Sequence, residues 1–294
     1  MTKRRVRLLI DFSILLHKNF DQYEKTFEYS EMESEQFKKY ALWRHMVLQG
    51  LFELCNNIHP DEIILACDSK SWRKTYYPKY KANRNYSGMN QYFNESNKFI
   101  DELKNAFPFK LLKIDDLEGD DIIALFCINK PNDINIIGSI DSDLHQLLLY
   151  PNVIYYNIND KKSLTLSITE IKEKLLTKLL KGDPGDNIPN IYTEEIVKGT
   201  RQKSITKSLI DECSNDIAKV MQYDPEMKKR YERNKKLIFL SNTNIPLDLQ
   251  NKLWDYYNGY QIEATKERMI NYMNEWKMEV LKERADEIDL LWGK

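Results

Sequence analysis

Short apolar runs in the first half of the chain predict the strands of a buried sheet. These runs cover residues 6–10, 63–67, 109–114, 134–138 and 153–158. Their unbroken apolar character is typical of parallel strands that are covered on both faces. Apolar positions at helical spacing predict helices over residues 35–58, 118–128 and 144–149. The alternation predicts an α/β fold, with a mainly parallel central sheet and helices on both of its faces.

The pattern changes after residue 166, where the remaining chain is almost entirely helical in character. Helices are predicted near residues 168–180, 204–212, 225–239, 246–257 and 264–281. We therefore divide the chain into a core at 1–166 and a helical C-terminal region at 167–294. Because no low-complexity linker separates them, we expect the C-terminal helices to pack on the core.

Three of the predicted strands end at or just before an aspartate. These residues are Asp11, Asp68 and Asp141. Ligands of open parallel sheets bind outside the carboxyl ends of the strands. The sequence therefore predicts that three remote carboxylates meet in one crevice.

Further acids come in closely spaced groups and extend this candidate site. The full set is Asp11, Asp68, Glu118, Asp120, Asp121, Asp141, Asp143, Asp183 and Asp186. Crowded carboxylates repel one another unless cations neutralise them. Ligands that are all oxygen favour a hard ion, Mg²⁺ or Mn²⁺. Two such ions about 3.5–4 Å apart can activate water and stabilise the leaving oxygen in phosphodiester hydrolysis. Taken singly, each acid can equally be a helix cap or a turn residue.

A basic and aromatic segment follows Asp68 directly. Residues 69–87 contain six lysines and arginines, five aromatic residues and no acid. Basic groups attract phosphate, and aromatic faces stack on unpaired bases. We therefore expect this segment to hold a single strand at the mouth of the site. The candidate substrate-binding residues are Trp72, Arg73, Lys74, Tyr80, Lys81 and Arg84.

Overall composition adds little to these expectations. The net charge is −1, with 42% hydrophobic and 30% charged residues, as in a soluble globular protein. The four cysteines are far apart and form no C-x-x-C pair, which disfavours a zinc site or a disulfide framework. No apolar stretch is long enough to span a membrane, and a cytoplasmic location is the expectation.

The motifs together resemble those of the phage and bacterial 5′ nucleases, which are relatives of flap endonucleases. The matching stretches are LIDFS at 9–13, CD at 67–68, WR at 72–73, YKANR at 80–84, EGDD at 118–121, SIDSD at 139–143 and KGDPGDNIP at 181–189. The resemblance covers about the first two hundred residues and, more loosely, the helical remainder.

This resemblance implies the roles of particular residues. Asp11, Asp68, Glu118, Asp120 and Asp141 would serve a first Mg²⁺. Asp143, Asp183 and Asp186 would serve a second, with Asp121 shared or outer-sphere. Lys81 and Arg84 would act on the scissile phosphate and, with Asp120, are the catalytic candidates. Tyr80 would stack near the displaced base, and residues at about 70–98 would form an arch over the site.

The resemblance also implies activities and partners. We expect 5′-to-3′ exonuclease, ribonuclease H and flap endonuclease activity in primer removal during lagging-strand replication. Expected partners are duplex and branched DNA, RNA–DNA hybrids and a single-stranded DNA-binding protein. A monomer in the cytoplasm, that of the host cell if the chain is phage-encoded, is expected. The alternatives are a structure-specific DNA-binding protein without catalysis and a PIN-type endoribonuclease.

One stretch departs from the family pattern. The family has a glycine-rich helix-turn-helix element after its acidic loop, and this element often holds a monovalent ion. Here residues 188–195 read IPNIYTEE, without the usual glycines. The resemblance still implies a duplex-binding helix-turn-helix element in the C-terminal region, but we expect weaker binding of a monovalent ion and weaker anchoring of the duplex. Basic residues of the predicted helix 168–180 and of the stretch after residue 195 would partly compensate, namely Lys172, Lys174, Lys178, Lys198, Arg201, Lys203 and Lys207.

Overall fold

A six-stranded, mostly parallel sheet forms the centre of the protein. The computed structural model describes residues 3–28, 39–197, 199–222 and 224–292. The strands are β1 (Val6–Asp11), β2 (Glu62–Ala66), β3 (Lys110–Leu112), β4 (Ile134–Ser139), β5 (Val153–Asn157) and β6 (Lys162–Leu164). Their order is β3-β2-β1-β4-β5-β6, and only β6 pairs antiparallel. The α/β fold class is confirmed.

Helices surround this sheet and continue to the C-terminal end. They are α1 (Phe12–Glu28), α2 (Ala41–Ile58), α3 (Arg73–Tyr76), α4 (Asn90–Ala106), α5 (Gly119–Asn129), α6 (Ile168–Lys181), α7 (Lys207–Met221), α8 (Pro225–Ile238), α9 (Leu247–Gly259), α10 (Lys266–Glu275) and α11 (Glu279–Glu283). Short 3-10 helices lie at Ser142–Leu149, Pro184–Asp186 and Ala285–Leu291.

Alternate residues of the central strand face two different cores. Leu8 and Ile10 enter a core with α1, α2, α4 and α10, whereas Leu9 enters one with α5 and α9. This alternation follows from the two-residue period of a strand. The C-terminal helices thus cover both faces of the sheet, as expected. The division into two regions at residue 166 stays a prediction.

Several predicted boundaries were wrong. Helices α1 and α4 were not predicted, and the helix predicted over 264–281 is broken after Glu275. The break coincides with Lys277, whose φ of 54° is left-handed and ends an α-helix. The start of the helix predicted over 35–58 lies partly outside the described residues.

Helix α4 also changes the interpretation of the expected arch. Its buried residues include Phe99 and Leu103, which pack in the first core, while its opposite face is exposed. The segment 70–98 therefore consists of α3, a stretch of turns and the first half of α4. Its role as an arch for a nucleic-acid strand stays a prediction.

Candidate active site

Three aspartates lie at the carboxyl ends of three neighbouring strands. Asp11 ends β1, Asp68 follows β2 by two residues, and Asp141 follows β4 by two residues. Strands β2, β1 and β4 are adjacent in the sheet. The structure therefore brings these carboxylates to one edge, as parallel strands require.

Two serines hold this group together. The Ser139 hydroxyl donates to Asp11 Oδ2 at 3.1 Å and accepts from the Asp141 main-chain N–H at 3.0 Å. The Ser13 hydroxyl accepts from the Asp68 N–H at 2.8 Å. Sequence reasoning assigned neither serine a role, although both lie within the matched motifs. Their hydrogen bonds fix the backbone that carries the acids.

Asp120 joins this group from the first turn of α5. The preceding residue, Gly119, donates its N–H to Asp68 Oδ1 at 2.7 Å. Burial and the charges of Asp11 and Asp141 raise the pKa of Asp120 well above its ordinary value. Burial and the charge of Asp68 raise the pKa of Asp11 to about 7. Such shifts mark carboxylates that repel one another in the absence of a cation.

Glu118 lies among cations. Its carboxylate accepts from Arg73 Nη1 at 2.8 Å and contacts the Lys81 ammonium. Burial alone would raise the pKa of Glu118, but Arg73 and Lys81 outweigh it and lower the pKa to about 2. Glu118 is therefore already neutralised by side chains of the protein.

The second predicted group of acids has a lysine at its centre. The Lys178 ammonium, on α6, contacts Asp143 and lies 2.8 Å from Asp183 Oδ2. Asp183 begins its loop directly after Gly182, whose φ is 71°. A Cβ at Gly182 would lie 2.3 Å from the Ile188 carbonyl oxygen, so only glycine fits there. Gly182 therefore allows the acidic loop to fold back so that its end, at residues 188 and 189, lies against its start.

Asp186 faces the basic segment rather than Lys178. Its carboxylate accepts from the Tyr80 hydroxyl at 3.0 Å and from Arg84 Nη2 at 2.5 Å. Lys81 Nζ lies 3.8 Å away, and the Lys81 main-chain N–H donates to the Asp186 carbonyl at 2.8 Å. The two catalytic candidates Lys81 and Arg84 therefore flank the acids directly.

A small cavity of about 20 Å³ connects the two groups of acids. Five of the predicted metal ligands line it, namely Glu118, Asp120, Asp143, Asp183 and Asp186. This volume is close to that of a single water molecule. Within the described ranges, no three His, Cys, Asp or Glu side chains are arranged to hold one ion. Lysines instead occupy the spaces between the acids.

The donor set nevertheless fits a hard divalent ion. All candidate ligands are carboxylates, and Mg²⁺ uses few direct protein ligands because it keeps several waters. The pKa values of Asp11 and Asp120 are raised because nearby positive charge does not offset their burial and the repulsion from neighbouring carboxylates. An ion held by two carboxylates plus water is therefore compatible with the donors at the strand ends.

Four predicted site residues proved to be interior. Trp72, Arg73 and Tyr80 are 6%, 3% and 3% exposed, and Asp121 is fully buried. Arg73 donates to Asp121 at 2.7 and 2.8 Å, and Trp72 Nε1 donates to the same carboxylate at 3.1 Å. That these rings or this arginine contact substrate stays a prediction, and in the structure their side chains are engaged inside the protein. Their polar atoms reach buried carboxylates, so the residues form the wall of the site.

Asp121 as a metal ligand stays a prediction, and its carboxylate has other partners in the structure. Besides its pair with Arg73, it closes a capping box at the start of α5, where Asp121 Oδ2 accepts from the Glu118 N–H at 3.2 Å. Its oxygens are thus engaged by the protein.

Removing the Arg73 guanidinium is expected to destabilise the fold strongly. Arg73→Ala leaves Asp121 buried and unpaired, which costs about 3–5 kcal/mol of unfolding free energy. The control Lys74→Ala, on the exposed side of α3, is expected to change stability by about 0.5 kcal/mol or less. Urea denaturation measures both. A stable Arg73→Ala protein with a selective loss of DNA binding would instead support direct contact between Arg73 and the substrate.

The exposed remainder of the basic segment borders a groove beside Asp68. Its volume is about 800 Å³, and its lining includes Lys70, Lys74, Arg84, Lys113, Tyr86 and Phe93. Tyr86 and Phe93 are 44% and 38% exposed, and their ring centroids lie 5.7 Å apart. Of the aromatic residues in the segment, Tyr76 (49% exposed) and Tyr86 keep the exposure that stacking on a base requires, and of these two it is Tyr86 that lines this groove. Phe93 was not among the predicted contacts because it lies on the unpredicted helix α4.

The described residues between the acidic loop and α7, at 189–197 and 199–206, belong to no helix or strand. Arg201, Lys203 and Lys207 are exposed, and the Lys203 ammonium lies 4.3 Å from the Tyr192 ring centroid. Lys198 lies outside the described residues.

None of the described helices is long and apolar enough to cross a membrane.

Comparison with known proteins places this chain among nucleases. The family model described as "5'-3' exonuclease, N-terminal resolvase-like domain" matches residues 6–176. The ribonuclease H of enterobacteria phage T4 is 30% identical over 244 residues, which cover 76% of this chain and 79% of that protein. DNA polymerase I of Rhizobium leguminosarum is 31% identical over 141 residues, 44% of this chain but only 13% of that protein.

Solved structures of phage T5 nucleases share the fold. The T5 5′-exonuclease with bound divalent zinc ions has a TM-score of 0.60 and 17% identity, and the match covers 87% of this chain and 99% of that one. A pseudo-enzyme–product complex of the T5 flap endonuclease with DNA and metal ions has a TM-score of 0.58 and 17% identity, over 86% and 98% of the two chains.

Proposed function

The chain belongs to the 5′–3′ exonuclease family, and we propose that it is a Mg²⁺-dependent 5′ nuclease with exonuclease, ribonuclease H and flap endonuclease activities. One observation carries this proposal. Asp11, Asp68 and Asp141 gather at adjacent strand ends, and Lys81 and Arg84 face the neighbouring acids. A protein that only binds phosphate gains nothing from such an anionic cluster.

Two divalent ions would divide these acids between them. Asp11, Asp68, Asp120 and Asp141 would hold the first, with Glu118 outer-sphere because Arg73 and Lys81 already neutralise it. Asp143, Asp183 and Asp186 would hold the second. When bound, the ions would supply an activated water and charge stabilisation for the phosphoryl group.

One lysine and one arginine of the site would then act on the substrate. Lys81 and Arg84 are held next to the acids by Glu118 and Asp186, so they would point at a phosphate bound there. A fixed cation facing the developing charge stabilises the transition state more than the ground state. We assign Lys81 and Arg84 to the scissile phosphate.

The groove on the α4 side of the site suits an unpaired 5′ strand. Lys70, Lys74 and Lys113 offer positive charge along it, and Tyr86 and Phe93 offer exposed aromatic faces. Charge that tracks the backbone and rings that stack on bases together bind single strands without sequence preference. The groove opens beside Asp68, so a strand within it would reach the acids.

The duplex would lie on the side of the loop that follows Asp186. Arg201, Lys203 and Lys207 are exposed there, and phosphate contacts of this kind give salt-dependent binding. The T4 relative is named a ribonuclease H, which supports RNA–DNA hybrids as substrates and primer removal in lagging-strand replication as the role. A single-stranded DNA-binding protein is the partner we propose, with the enzyme acting as a monomer.

The proposal is tested with two 5′-labelled substrates, a flap on duplex DNA and a matched RNA–DNA hybrid. Each is incubated with Mg²⁺, with Mn²⁺ and with EDTA. We expect both to be shortened from the labelled end in Mg²⁺ or Mn²⁺, and neither in EDTA. Cleavage that persists in EDTA, or that proceeds only from the 3′ end, would contradict the proposal.

A further inference from the structure

A buried arginine on α8 is surrounded by main-chain carbonyls of the loop after the acidic turn. Arg233 is 7% exposed. Its Nη1 donates to the Glu194 carbonyl at 2.8 Å, and its Nη2 donates to the Pro189 carbonyl at 3.0 Å. The Asn190 and Thr193 carbonyls lie at 3.4 Å. Four carbonyl oxygens of one short loop thus converge on a single cation.

These oxygens come from the main chain and not from acidic side chains. The Glu194 carboxylate is instead paired with Arg230 Nε at 3.0 Å. A guanidinium stays charged at any physiological pH, so burial requires acceptors on every side. Converging carbonyl dipoles supply them, and the loop in turn needs a cation to keep its carbonyls together. Arg233 and residues 189–194 therefore define each other's conformation.

The same contacts lead to the basic residues that we assign to the duplex. Asn190, whose carbonyl faces Arg233, donates its side-chain amide to the Lys203 carbonyl at 2.7 Å. The Asn190 main-chain N–H donates to Gln202 Oε1 at 2.9 Å. A short chain of hydrogen bonds therefore runs from Arg233 through Asn190 to Lys203.

Arg233 also lies next to the acidic loop, but that loop has supports of its own. Asn234 donates to the Leu179 carbonyl at 2.9 Å and to the Pro189 carbonyl at 3.0 Å. Asp183 and Ile188 are joined by two main-chain hydrogen bonds of 2.8 Å. Loss of Arg233 should therefore disturb residues 189–194 and 202–203 more than Asp183 and Asp186.

We propose that Arg233 is a built-in cation that positions residues 189–194 and, through Asn190, residues 202–203 for contact with duplex phosphates. Duplex binding by this chain then requires no monovalent cation from solution, because the carbonyl cluster is already filled. Arg233 is a positioning residue, since it reaches the duplex only through Asn190 and Lys203. This inference rests on the proposed function, in which that loop faces the duplex.

The test measures affinity for a blunt, fluorescently labelled DNA duplex by anisotropy in EDTA. Wild-type protein, Arg233→Ala and the control Arg230→Ala are compared in potassium, sodium and tetramethylammonium chloride at equal ionic strength. The control removes an arginine of the same helix that pairs with the exposed Glu194 and Glu226 side chains. Exposed pairs of this kind contribute little.

We expect wild-type affinity to be the same in the three salts. Arg233→Ala should bind about tenfold more weakly, as expected for the loss of hydrogen bonds to a charged group. Added guanidinium at millimolar concentration should restore binding by Arg233→Ala, because it fills the same carbonyl cluster, whereas tetramethylammonium should not. In cleavage assays the variant should show a raised KM with kcat changed about twofold or less.

Three results would overturn the inference. They are an Arg233→Ala protein that binds duplex as well as wild type, a loss that guanidinium does not restore, and a wild-type affinity that rises in potassium over sodium. The last result needs no variant, so it decides the question even if Arg233→Ala fails to fold. Wild-type protein that binds no duplex in any salt would contradict the proposed function itself, and is thereby distinguished from these results.

Discussion

Asp120→Asn is expected to lower kcat about a thousandfold, because in the proposed mechanism several kcal/mol of transition-state stabilisation would come from ions that this carboxylate would help to hold. Affinity for DNA should be kept or improved, since the substitution removes a negative charge from the path of the phosphates. Gel-based cleavage assays and anisotropy in EDTA measure the two quantities separately.

The same substitution should raise the melting temperature of the metal-free protein. Burial and neighbouring acids raise the pKa of Asp120, so the folded state disfavours its charged form. A raised carboxyl pKa means that stability falls as the pH rises above the unfolded pKa, and asparagine cannot lose a proton. At neutral pH in EDTA the variant should therefore melt higher than wild type.

Magnesium should raise the melting temperature of wild type more than that of Asp120→Asn. Binding to the native state alone stabilises wild type, whereas Asp120→Asn should gain much less. The control Asp115→Asn changes an exposed aspartate close by and should behave as wild type throughout. Unchanged turnover by Asp120→Asn would reject the site.

Lys81→Ala is expected to slow turnover about a hundredfold, the range found when one donor to a developing negative charge is removed. Its ammonium lies between Glu118 and Asp186, where it would meet the phosphate under attack. Affinity should fall about threefold or less, because other cations line the groove. Single-turnover kinetics separate the chemical step from binding.

Lys79→Ala provides the matched control for this variant. Lys79 lies two residues earlier and pairs with the exposed Glu195. It should show no loss in the chemical step. If Lys81→Ala instead raises KM with kcat intact, Lys81 is an anchor for the substrate and has no part in catalysis.

The strand ends were predictable because parallel topology leaves little choice. Once β1, β2 and β4 were recognised, Asp11, Asp68 and Asp141 had to meet at one edge. The family motifs added the acidic loop, and the family assignment is confirmed. Pattern and topology thus predicted that these three carboxylates lie at one edge of the sheet.

The orientation of the basic, aromatic segment was not predictable from its composition. Tyr80 and Tyr86 occur in the same run, yet one is buried against Glu118 and the other is exposed. Which of the two tyrosine hydroxyls can donate to a carboxylate depends on the tertiary structure and not on the local sequence. The lysine between Asp143 and Asp183 was hidden for the same reason, because Lys178 reaches them from a separate helix. Pairing across elements leaves no local signal in the sequence.

The contribution of Asp11 to the stability of the metal-free protein should be larger at acidic pH than at neutral pH. Burial and Asp68 raise the pKa of Asp11 from its ordinary 3.8 to about 7, so the stability it gives when protonated is lost as the pH rises through that window. A divalent ion at the strand ends should remove this loss. Thermal melts from pH 4 to 7, with and without Mg²⁺, follow the effect.

The most direct measurement is anomalous diffraction from crystals of this protein grown with Mn²⁺. We predict two peaks about 4 Å apart, one in contact with at least two of Asp11, Asp68, Asp120 and Asp141 and the other beside Asp143 and Asp183. Lys178 should have moved away from those two acids to admit the second ion. Manganese bound only elsewhere, or no manganese at the strand ends at saturating concentration, would contradict the account.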